Sequence, residues 1–464
     1  HGLQTHTVPK NDTARTLVAR RMNCETADDL DREILKHSSS VQAVFGQVFE
    51  GAVETAADKD LPVPQVGADE ILIRSQKLFY EVADVSPHLA QMLAAIPDEP
   101  SQGNVIAADF ASVTADERDL GRWLSLLRRV WSRAILSIVI AEIEGGASIA
   151  DSKQRQTELA EMSIKTALDV MRDEVRHRSG IADLPLSVLA LGKLGGRGID
   201  YASDLDLVLV YDDRAAIENA AEVYSRAVEL FVTALSGITR DGNLYRVDLR
   251  LRPYGKNGAS SNPRSVFLEY FERTAAVWEL LAFVKLRGVA GPIAIEVETA
   301  VREIIHRRAL ETDRELLRAE TVRIRYMLER ERGGRRGEVD LKYGAGGLLD
   351  IYFATRYLQL RDNIPDDTEN RSTRFVLDRL LEKGSISAGD HEAFGAGHAF
   401  LSELDHNIRL VTGRSRQLPR DTKSLRIVTD RCSFADTADL LETLSLQRLN
   451  VRNAFERVLE TDRA

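Results

Sequence analysis

Apolar residues recur along most of this chain at the three- and four-residue spacing of a helix face. The clearest case is residues 120–145, where the spacing predicts one long helix that places Trp123 and Trp131 in the hydrophobic core. The same pattern covers residues 69–180 and returns from about residue 295 onward. In that last part the predicted helices form a bundle and occupy 312–332, 348–361, 372–383, 389–412 and 436–460.

The pattern changes between residues 183 and 292, where apolar runs become short and are bounded by glycine and aspartate. Leu186–Leu191 and Asp204–Tyr211 are predicted strands, and Leu244–Leu251 is a third. A helix is predicted over 213–237. The order strand, loop, strand, helix, strand defines a small α/β unit inside a helical protein.

These changes divide the chain into four expected parts. Residues 1–68 end in a polar, proline-containing linker. A helical domain then spans 69–182, the α/β domain spans 183–294, and a helical bundle domain spans 295–464. The expected fold class is therefore mainly α, with a central α/β domain between helical domains.

Composition narrows the class of protein. The 464 residues are 44% hydrophobic and 29% charged, which is enough apolar material for a sizeable core. The net charge of −10 argues against nucleic acid as the main partner, because such binders usually carry a basic surplus. No apolar run reaches the roughly 18 residues that a membrane span needs. Two distant cysteines, Cys24 and Cys432, favour a reduced, cytoplasmic protein.

A segment near the start of the chain is similar to one near its end. The matching positions, 410 residues apart, are Asp29-Leu30, Val41, Phe45, Val48 and Glu50 against Asp439-Leu440, Val451, Phe455, Val458 and Glu460. Two unrelated amphipathic helices would give the same match. The alternative is that residues 11–55 are the tail of a preceding homologous unit, so that this chain is the second half of a duplicated protein.

Three carboxylates are predicted to meet in the α/β unit. Side chains two apart on a strand share a face, so Asp204 and Asp206 point the same way. On the third predicted strand Asp248, Arg250 and Arg252 share a face by the same alternation. Setting these strands side by side brings the aspartates together. Like charges this close need a counter-charge, and hard oxygen ligands suit Mg²⁺.

The loop before these carboxylates has features of a phosphate site. Gly195-Gly196 allows backbone N–H groups to approach a phosphate, and Ser203 offers a hydroxyl. Lys193 and the two arginines can neutralise a triphosphate. Each feature alone also has a structural explanation, as a turn, a solvated strand edge or a local ion pair. The segment GKLGG is not a Walker A loop. The conjunction at this spacing favours metal-dependent nucleotide chemistry.

Four segments resemble the glutamine synthetase adenylyltransferase family, a branch of the DNA polymerase beta-type nucleotidyltransferases. They are LGKLGGRGIDYASDLDLVLVYD at 191–212, YRVDLRLRPYGKNG at 245–258, Trp278-Glu279 with FVKLR at 283–287, and DLKYGAGGLLDIYF at 340–353. The helical flanks fit as well, from about residue 70. The resemblance implies that the α/β domain is a nucleotidyltransferase domain.

The resemblance also implies a role for each matching residue. Asp204, Asp206 and Asp248 would be the catalytic carboxylates and would hold Mg²⁺, with Mn²⁺ as the alternative ion. Asp248 would also help to deprotonate a tyrosine hydroxyl. ATP would be the substrate, and its binding residues would be Gly195, Gly196, Ser203, Lys193, Arg250 and Arg252, with Lys285 and Arg287 as supporting cations.

Members of this family have two halves with opposite reactions. The N-terminal half removes AMP from glutamine synthetase by phosphorolysis, and the C-terminal half adds AMP from ATP to a tyrosine of that enzyme. Both halves carry the same carboxylates, so the repeat decides, and it favours the adenylylating half. The implied partners are glutamine synthetase, a PII-type signalling protein and glutamine as an effector, in the regulation of nitrogen assimilation.

Three alternatives stay open beside this interpretation. The chain can be read as the adenylyl-removing half, or as a regulatory module with an inactive site that binds a PII-type protein or glutamine. The intact aspartates argue against the module. A nucleotidyltransferase acting on RNA is disfavoured by the acidic charge and by the lack of interleaved aromatic and basic residues.

One position departs from the family pattern. The family usually has an acidic residue, isoleucine, glutamate and phenylalanine where this chain has Asp350-Ile351-Tyr352-Phe353. Tyr352 therefore stands at a usually acidic position. Any contact that this acid makes with substrate or regulator is changed here, while the three metal carboxylates are present.

Overall fold

The computed structural model describes residues 26, 82, 84–86, 89, 110, 119–181, 183–215, 217–239, 242–334, 338–413 and 417–460. Residues 69–464 form one compact unit. The predicted N-terminal tail and linker, with the first copy of the repeat, lie outside the described residues except for Thr26. The bounds of the four predicted domains stay a prediction.

Two long helices precede the sheet. Helix α1 spans Leu120–Ile143 and α2 spans Ile149–Ser179, as the apolar spacing predicted. Asp119 caps α1 through its side chain, and Ser148 forms a capping box with Asp151 at the start of α2. Trp123 is buried, which confirms its predicted place in the core.

The sheet is mixed. Its strands are β1 (Leu186–Ala190), β2 (Leu205–Tyr211), β3 (Val247–Asp248), β4 (Asn262–Pro263) and β5 (Arg287–Ala290). The order is β3-β2-β1-β5, and β4 also pairs with β2. Strand β1 is antiparallel to β2 and β5, whereas β2 is parallel to β3 and β4. The first two predicted strands are confirmed to within one residue, and β4 and β5 were not predicted.

The third predicted strand, Leu244–Leu251, was wrong in extent. Its ladder with β2 covers only Val247 and Asp248. The chain then turns, because the Asp248 carboxylate accepts the backbone N–H of Arg250 at 2.9 Å. Arg250 and Arg252 therefore do not continue a strand face with Asp248.

The helices between the strands and directly after them are mostly short, and most of those in the bundle are longer. Within the described residues they are α3 (Gly192–Gly195), α4 (Ala220–Ser236), α5 (Arg264–Arg273), α6 (Val277–Phe283), α7 (Ala294–Glu311), α8 (Arg314–Arg332), α9 (Leu348–Arg361), α10 (Thr373–Glu382), α11 (Ala388–Thr412), α12 (Thr422–Arg431) and α13 (Thr437–Glu460). The bundle predictions agree with α8–α11 and α13 to within two residues.

Two differences from the predicted helices have local causes. Helix α4 begins at Ala220 rather than 213, because the Asp212 side chain accepts the N–H of Arg214 at 3.0 Å and forms a turn there. Helices α3, α5, α6 and α12 were missed, since each has ten residues or fewer and carries little periodic signal.

The two faces of the sheet enter different hydrophobic cores. Leu205, Leu207 and Leu209 lie in the core formed with α1, α2 and α4. Val208 and Val210 lie in the core formed with α5–α13. A mainly helical protein with a small central α/β unit is therefore confirmed. No helix within the described residues is long and apolar enough to cross a membrane.

Candidate active site

Asp206 and Asp248 are direct neighbours at one edge of the sheet. They are register partners on the parallel strands β2 and β3. Neighbouring strands lie about 4.8 Å apart, so partners in register present their side chains close together. Asp204 comes one residue before β2 and is exposed. The predicted meeting of β2 and β3 is thus confirmed, with Asp204 at its solvent side.

Asp206 lies in a half-buried position that disfavours its charge. Burial raises the pKa of Asp206 to about 6. The positive charge of Lys342 opposes this shift, whereas Asp248 and Asp204 add to it. A cation bound at this edge would therefore relieve an unfavourable environment at Asp206.

The Asp248 carboxylate is held by Arg250, two residues after the end of β3. Arg250 Nε lies 2.9 Å from both carboxylate oxygens of Asp248, and its Nη2 makes a further bond to one of them. These hydrogen bonds lower the pKa of Asp248 below its usual range. Arg252 instead donates to the backbone oxygens of Leu249 at 3.0 Å and Gly258 at 3.1 Å. One arginine thus neutralises the site, and the other closes the following loop.

A glycine places the backbone against Asp206. Gly192 has φ 57°, in the left-handed region that favours glycine. A Cβ at this position would lie 2.2 Å from Asp206 Oδ2. The GKLGG segment therefore begins with a backbone atom in contact with the carboxylate, a role that the sequence did not reveal.

The second half of that segment packs against Lys285. A Cβ added to Gly195 would lie 2.3 Å from the carbonyl oxygen of Lys285, and a Cβ added to Gly196 would lie 2.9 Å from Nζ of the same lysine. These glycines are thus needed for close approach to Lys285. Their predicted contact with a phosphate is a separate matter and stays a prediction.

Lys285 has an unusual environment. Its Nζ lies 5.8 Å from the ring centroid of Tyr352, and its side chain has no hydrogen bond or salt bridge within the described residues. Burial lowers the pKa of Lys285 to about 7; the positive charges of Arg356 and Lys193 add to this shift, and the negative charge of Asp366 opposes it. Tyr352 donates its hydroxyl to the Leu281 carbonyl at 3.2 Å. Lys285 therefore lies beside the glycine turn with no carboxylate of the described residues within salt-bridge distance.

Three other predicted nucleotide-binding residues are engaged within the protein. Lys193 Nζ contacts Asp405 Oδ2 at 3.0 Å. Ser203 is buried, and its hydroxyl accepts the N–H of Asp200 at 3.2 Å. Arg287 is buried and reaches Glu161 at 2.7 Å and the Leu194 carbonyl at 2.8 Å. Their contact with nucleotide stays a prediction.

Lys342 belongs to one of the family-like segments, but the sequence assigned it no role. It lies in the loop before α9, and its charge is the largest single charge acting on Asp206. Asp350 fixes this loop, because it accepts the N–H of Gly346 at 2.7 Å and pairs with the fully buried Arg325. A lysine at the start of the glycine-rich segment DLKYGAGG was the signal available in the sequence.

The donor chemistry suits a hard divalent cation, although the carboxylates are not gathered around one point. No group of three or more His, Cys, Asp or Glu side chains in the described part of the chain is arranged to hold a metal ion. Arg250 takes the place beside Asp248 that a cation would need. Asp206 and Asp248 supply adjacent oxygens of the kind that Mg²⁺ prefers.

Comparisons with known proteins agree with the resemblance seen in the sequence. Residues 69–301 match the sequence model of the family described as glutamate-ammonia ligase adenylyltransferase, and residues 320–459 match that of GlnD PII-uridylyltransferase. A bifunctional glutamine synthetase adenylyltransferase/adenylyl-removing enzyme of Stenotrophomonas maltophilia is 30% identical over 440 residues, which is 87% of this chain and 46% of that protein.

Enzymes of the same name from two other bacteria are similar. That of Nitrosomonas europaea is 29% identical over 369 residues, covering 75% of this chain and 39% of the relative. That of Caulobacter vibrioides is 29% identical over 402 residues, covering 83% and 40%. The chain therefore spans less than half the length of these curated relatives.

Proposed function

The chain belongs to the glutamate-ammonia ligase adenylyltransferase family, and on that premise we propose that it transfers AMP from ATP to a tyrosine of glutamine synthetase. The observation that carries this proposal is the pairing of Asp206 with Asp248 across β2 and β3. With Asp204 exposed beside them, these carboxylates form an oxygen-rich edge next to a glycine turn. The names of the relatives supply glutamine synthetase as the protein substrate.

The reaction is an in-line displacement. The tyrosine oxygen bonds to the α-phosphorus of ATP while the bond to the β-phosphate oxygen breaks, so that pyrophosphate leaves. Mg²⁺, or Mn²⁺, supplies neutralisation and polarisation of the phosphoryl oxygens when bound. Asp206 and Asp248 hold the ion in this proposal, and Asp204 assists from the solvent side.

The proton of the tyrosine hydroxyl needs an acceptor. Arg250 controls whether Asp248 can be that acceptor. Arg250 keeps the pKa of Asp248 low and both its oxygens occupied. Asp248 therefore accepts the proton only after Arg250 has left it. An arriving triphosphate attracts Arg250 away, because a guanidinium binds phosphate oxygens in the same bidentate way.

The leaving group needs positive charge at the other end of the site. Lys285 is the cation best suited to it, because it lies against Gly196 and has no carboxylate partner within the described residues. Lys193 is close enough to influence its charge but is shared with Asp405. Lys285 therefore binds the pyrophosphate end of ATP in this proposal.

The direction of the reaction rests on the sequence repeat. Its first copy lies outside the described residues, so the adenylylating direction is part of the proposal. Regulation by a PII-type protein and by glutamine, and a cytoplasmic location, belong to the same proposal. The match of residues 320–459 to a PII-uridylyltransferase model is compatible with a shared helical bundle.

The test is a pair of assays on the 464-residue chain. One follows AMP from labelled ATP into unmodified glutamine synthetase with Mg²⁺, and the other follows ADP released from adenylylated glutamine synthetase and phosphate. Incorporation that is abolished in Asp206→Asn supports the proposal. Asp213→Asn is the matched control, because Asp213 accepts the N–H of Ser265 at 3.2 Å, away from the carboxylate pair.

Each other result selects a different function. Release of ADP without incorporation assigns the chain to AMP removal. Binding of ATP without turnover in either assay assigns it to a regulatory module. Equal activity in Asp206→Asn and the unaltered chain overturns the proposed site.

A further inference from the structure

A buried histidine of the bundle reaches the turn that leads to the carboxylates. His406 lies on α11 and has no exposed side-chain surface. Its Nδ1 is 2.8 Å from Asp200 Oδ1, in the turn between α3 and β2. Its Nε2 is 3.0 Å from Glu142 Oε1, at the end of α1. One ring thus connects three elements that are distant in sequence.

His406 carries a positive charge in this arrangement. A neutral imidazole has one N–H group, whereas both ring nitrogens of His406 face carboxylate oxygens and must donate. Burial opposes the charged form, but Asp200 and Glu142 together raise the pKa of His406 above its ordinary value. Against burial, Lys193 and then the imidazolium lower the pKa of Asp200, and the imidazolium lowers the pKa of Glu142.

Asp200 organises the turn before β2. Its Oδ1 accepts the N–H of Tyr201 at 2.8 Å, and its own N–H donates to Ser203 Oγ at 3.2 Å. The N–H of Ser203 returns to the Asp200 carbonyl at 3.1 Å. Between them Ala202 has φ 49°, a left-handed conformation that is strained for alanine. Asp204 follows this closed turn directly.

His406 hydrogen-bonds the Asp200 carboxylate through its side chain. Within the described residues it is the one side-chain hydrogen-bond partner of the Asp200 carboxylate, because Oδ2 has none. Lys153 and Lys193 lie 3.6 and 3.7 Å from that second oxygen, as charges rather than hydrogen-bond donors. Replacing His406 therefore removes the hydrogen bond from the bundle to the Asp200 carboxylate, while Arg409 of the same helix still donates to the Tyr201 carbonyl at 3.2 Å.

Glu142 has several partners of its own. It accepts from Ser152 at 2.6 Å, from the Tyr201 hydroxyl at 2.8 Å and from Arg431 at 2.8 Å. The remaining charges near His406 are Asp405 and Arg409 on its own helix, which pair with each other at 2.8 Å. Without His406, Glu142 retains three side-chain hydrogen-bond partners, whereas the Asp200 carboxylate retains the N–H of Tyr201 and two longer ion pairs with lysines.

We propose that His406 is a positioning residue for AMP transfer, which holds Asp200 and thereby fixes the turn that places Asp204 and the start of β2. The AMP transfer in this proposal rests on the proposed function. The placement of the turn does not, since it follows from contacts within the protein.

Two near-isosteres of His406 separate its two contacts. In His406→Asn the amide nitrogen takes the place of Nδ1 and keeps the bond to Asp200. In His406→Gln it takes the place of Nε2 and faces Glu142. We expect His406→Gln to lower kcat by roughly 10- to 100-fold with a smaller change in KM for ATP, because small misplacements of catalytic groups cost that much. His406→Asn is expected to restore most of kcat.

His391→Gln is the matched control, because His391 lies on the same helix and contacts Asp378 at 2.7 Å instead. Backbone hydrogen exchange of the segment 199–206 is measured in parallel and does not depend on activity. Faster exchange in His406→Gln, but not in His406→Asn or His391→Gln, supports the proposal.

Equal kcat and exchange for His406→Gln and the unaltered chain overturn the proposal, as does an equal loss in both His406 variants. If the unaltered chain transfers no AMP while the exchange pattern is as expected, the proposed function fails and the placement of the turn by His406 stands.

Discussion

The ammonium group of Lys285 lies 5.8 Å from the ring centroid of Tyr352, and Arg356 lies 5.6 Å from the same centroid. An aromatic ring attracts cations but does not neutralise them. Tyr352 occupies the position where the resembling family usually has an acid. Lys285 therefore has no carboxylate within salt-bridge distance among the described residues, although Asp366 acts on it from farther away, and its charge depends on pH.

We expect the KM for ATP to rise as pH increases through about 7, because Lys285 loses its proton there. In Tyr352→Glu the new carboxylate pairs with Lys285, raises its pKa and removes this dependence. The measurement is KM for ATP from pH 6 to pH 9, a range that brackets the shifted lysine. Tyr352→Phe keeps the ring and is expected to retain the dependence. A flat profile in the unaltered chain would contradict this role for Lys285.

Gly192→Ala is expected to reduce AMP transfer more than 100-fold, because the added Cβ would lie 2.2 Å from Asp206 Oδ2 and displace the carboxylate. Part of any effect comes from the left-handed backbone, at roughly 1–2 kcal/mol. Gly180→Ala measures that part alone, since Gly180 has φ 72° and an added Cβ there would have no neighbour within 4 Å. Activity and thermal unfolding are compared for both. Similar activity losses in the two variants would argue against contact with Asp206.

Arg250→Gln is expected to tighten Mn²⁺ or Mg²⁺ binding to the free protein by about threefold, because Arg250 competes with the cation for Asp248. The factor is small since Arg250 is largely exposed and solvent screens its pair with Asp248. Calorimetric titration of the ion gives the comparison. Arg252→Gln is the control, because Arg252 bonds to backbone oxygens. Weaker ion binding in Arg250→Gln would show that the cation does not use Asp248.

The His406 network predicts a pH dependence of stability. A histidine whose pKa is raised on folding stabilises fully below its unfolded value of 6.5, and this contribution is lost as pH rises through the folded value. Glu142, with its pKa lowered from 4.5, stabilises above that value and loses its contribution as pH falls. The network therefore contributes most between about pH 4.5 and 6.5. The free energy of unfolding of the unaltered chain minus that of His406→Asn should decline from pH 6.5 upward. A constant difference would mean that His406 is neutral.

Strong periodicity made most of the fold predictable, and local side-chain bonds caused the errors. The hydrophobic spacing in α1 and α9 and the apolar run in β2 carried enough signal to locate those elements. The end of β3 depended on a single side-chain bond from Asp248 to the N–H of Arg250. No period in the sequence records such a bond.

The site was predictable where it depends on neighbouring strands and not where it depends on tertiary contacts. Pairing β2 with β3 brought Asp206 and Asp248 together from alternation alone. Lys342 and His406 follow Asp248 by 94 and 158 residues, so only the packed structure places them near the carboxylate edge and its turn.

The sheet contributes one face to each of two hydrophobic cores. A gene fragment that encodes the strands alone would expose apolar surfaces on both sides and aggregate. Removing α1 and α2 from one side, or the helices after the sheet from the other, takes away one covering layer and unfolds the site at a distance. Any engineered minimal enzyme, or any transfer of this centre to another scaffold, must therefore keep helices on both sides of the strands.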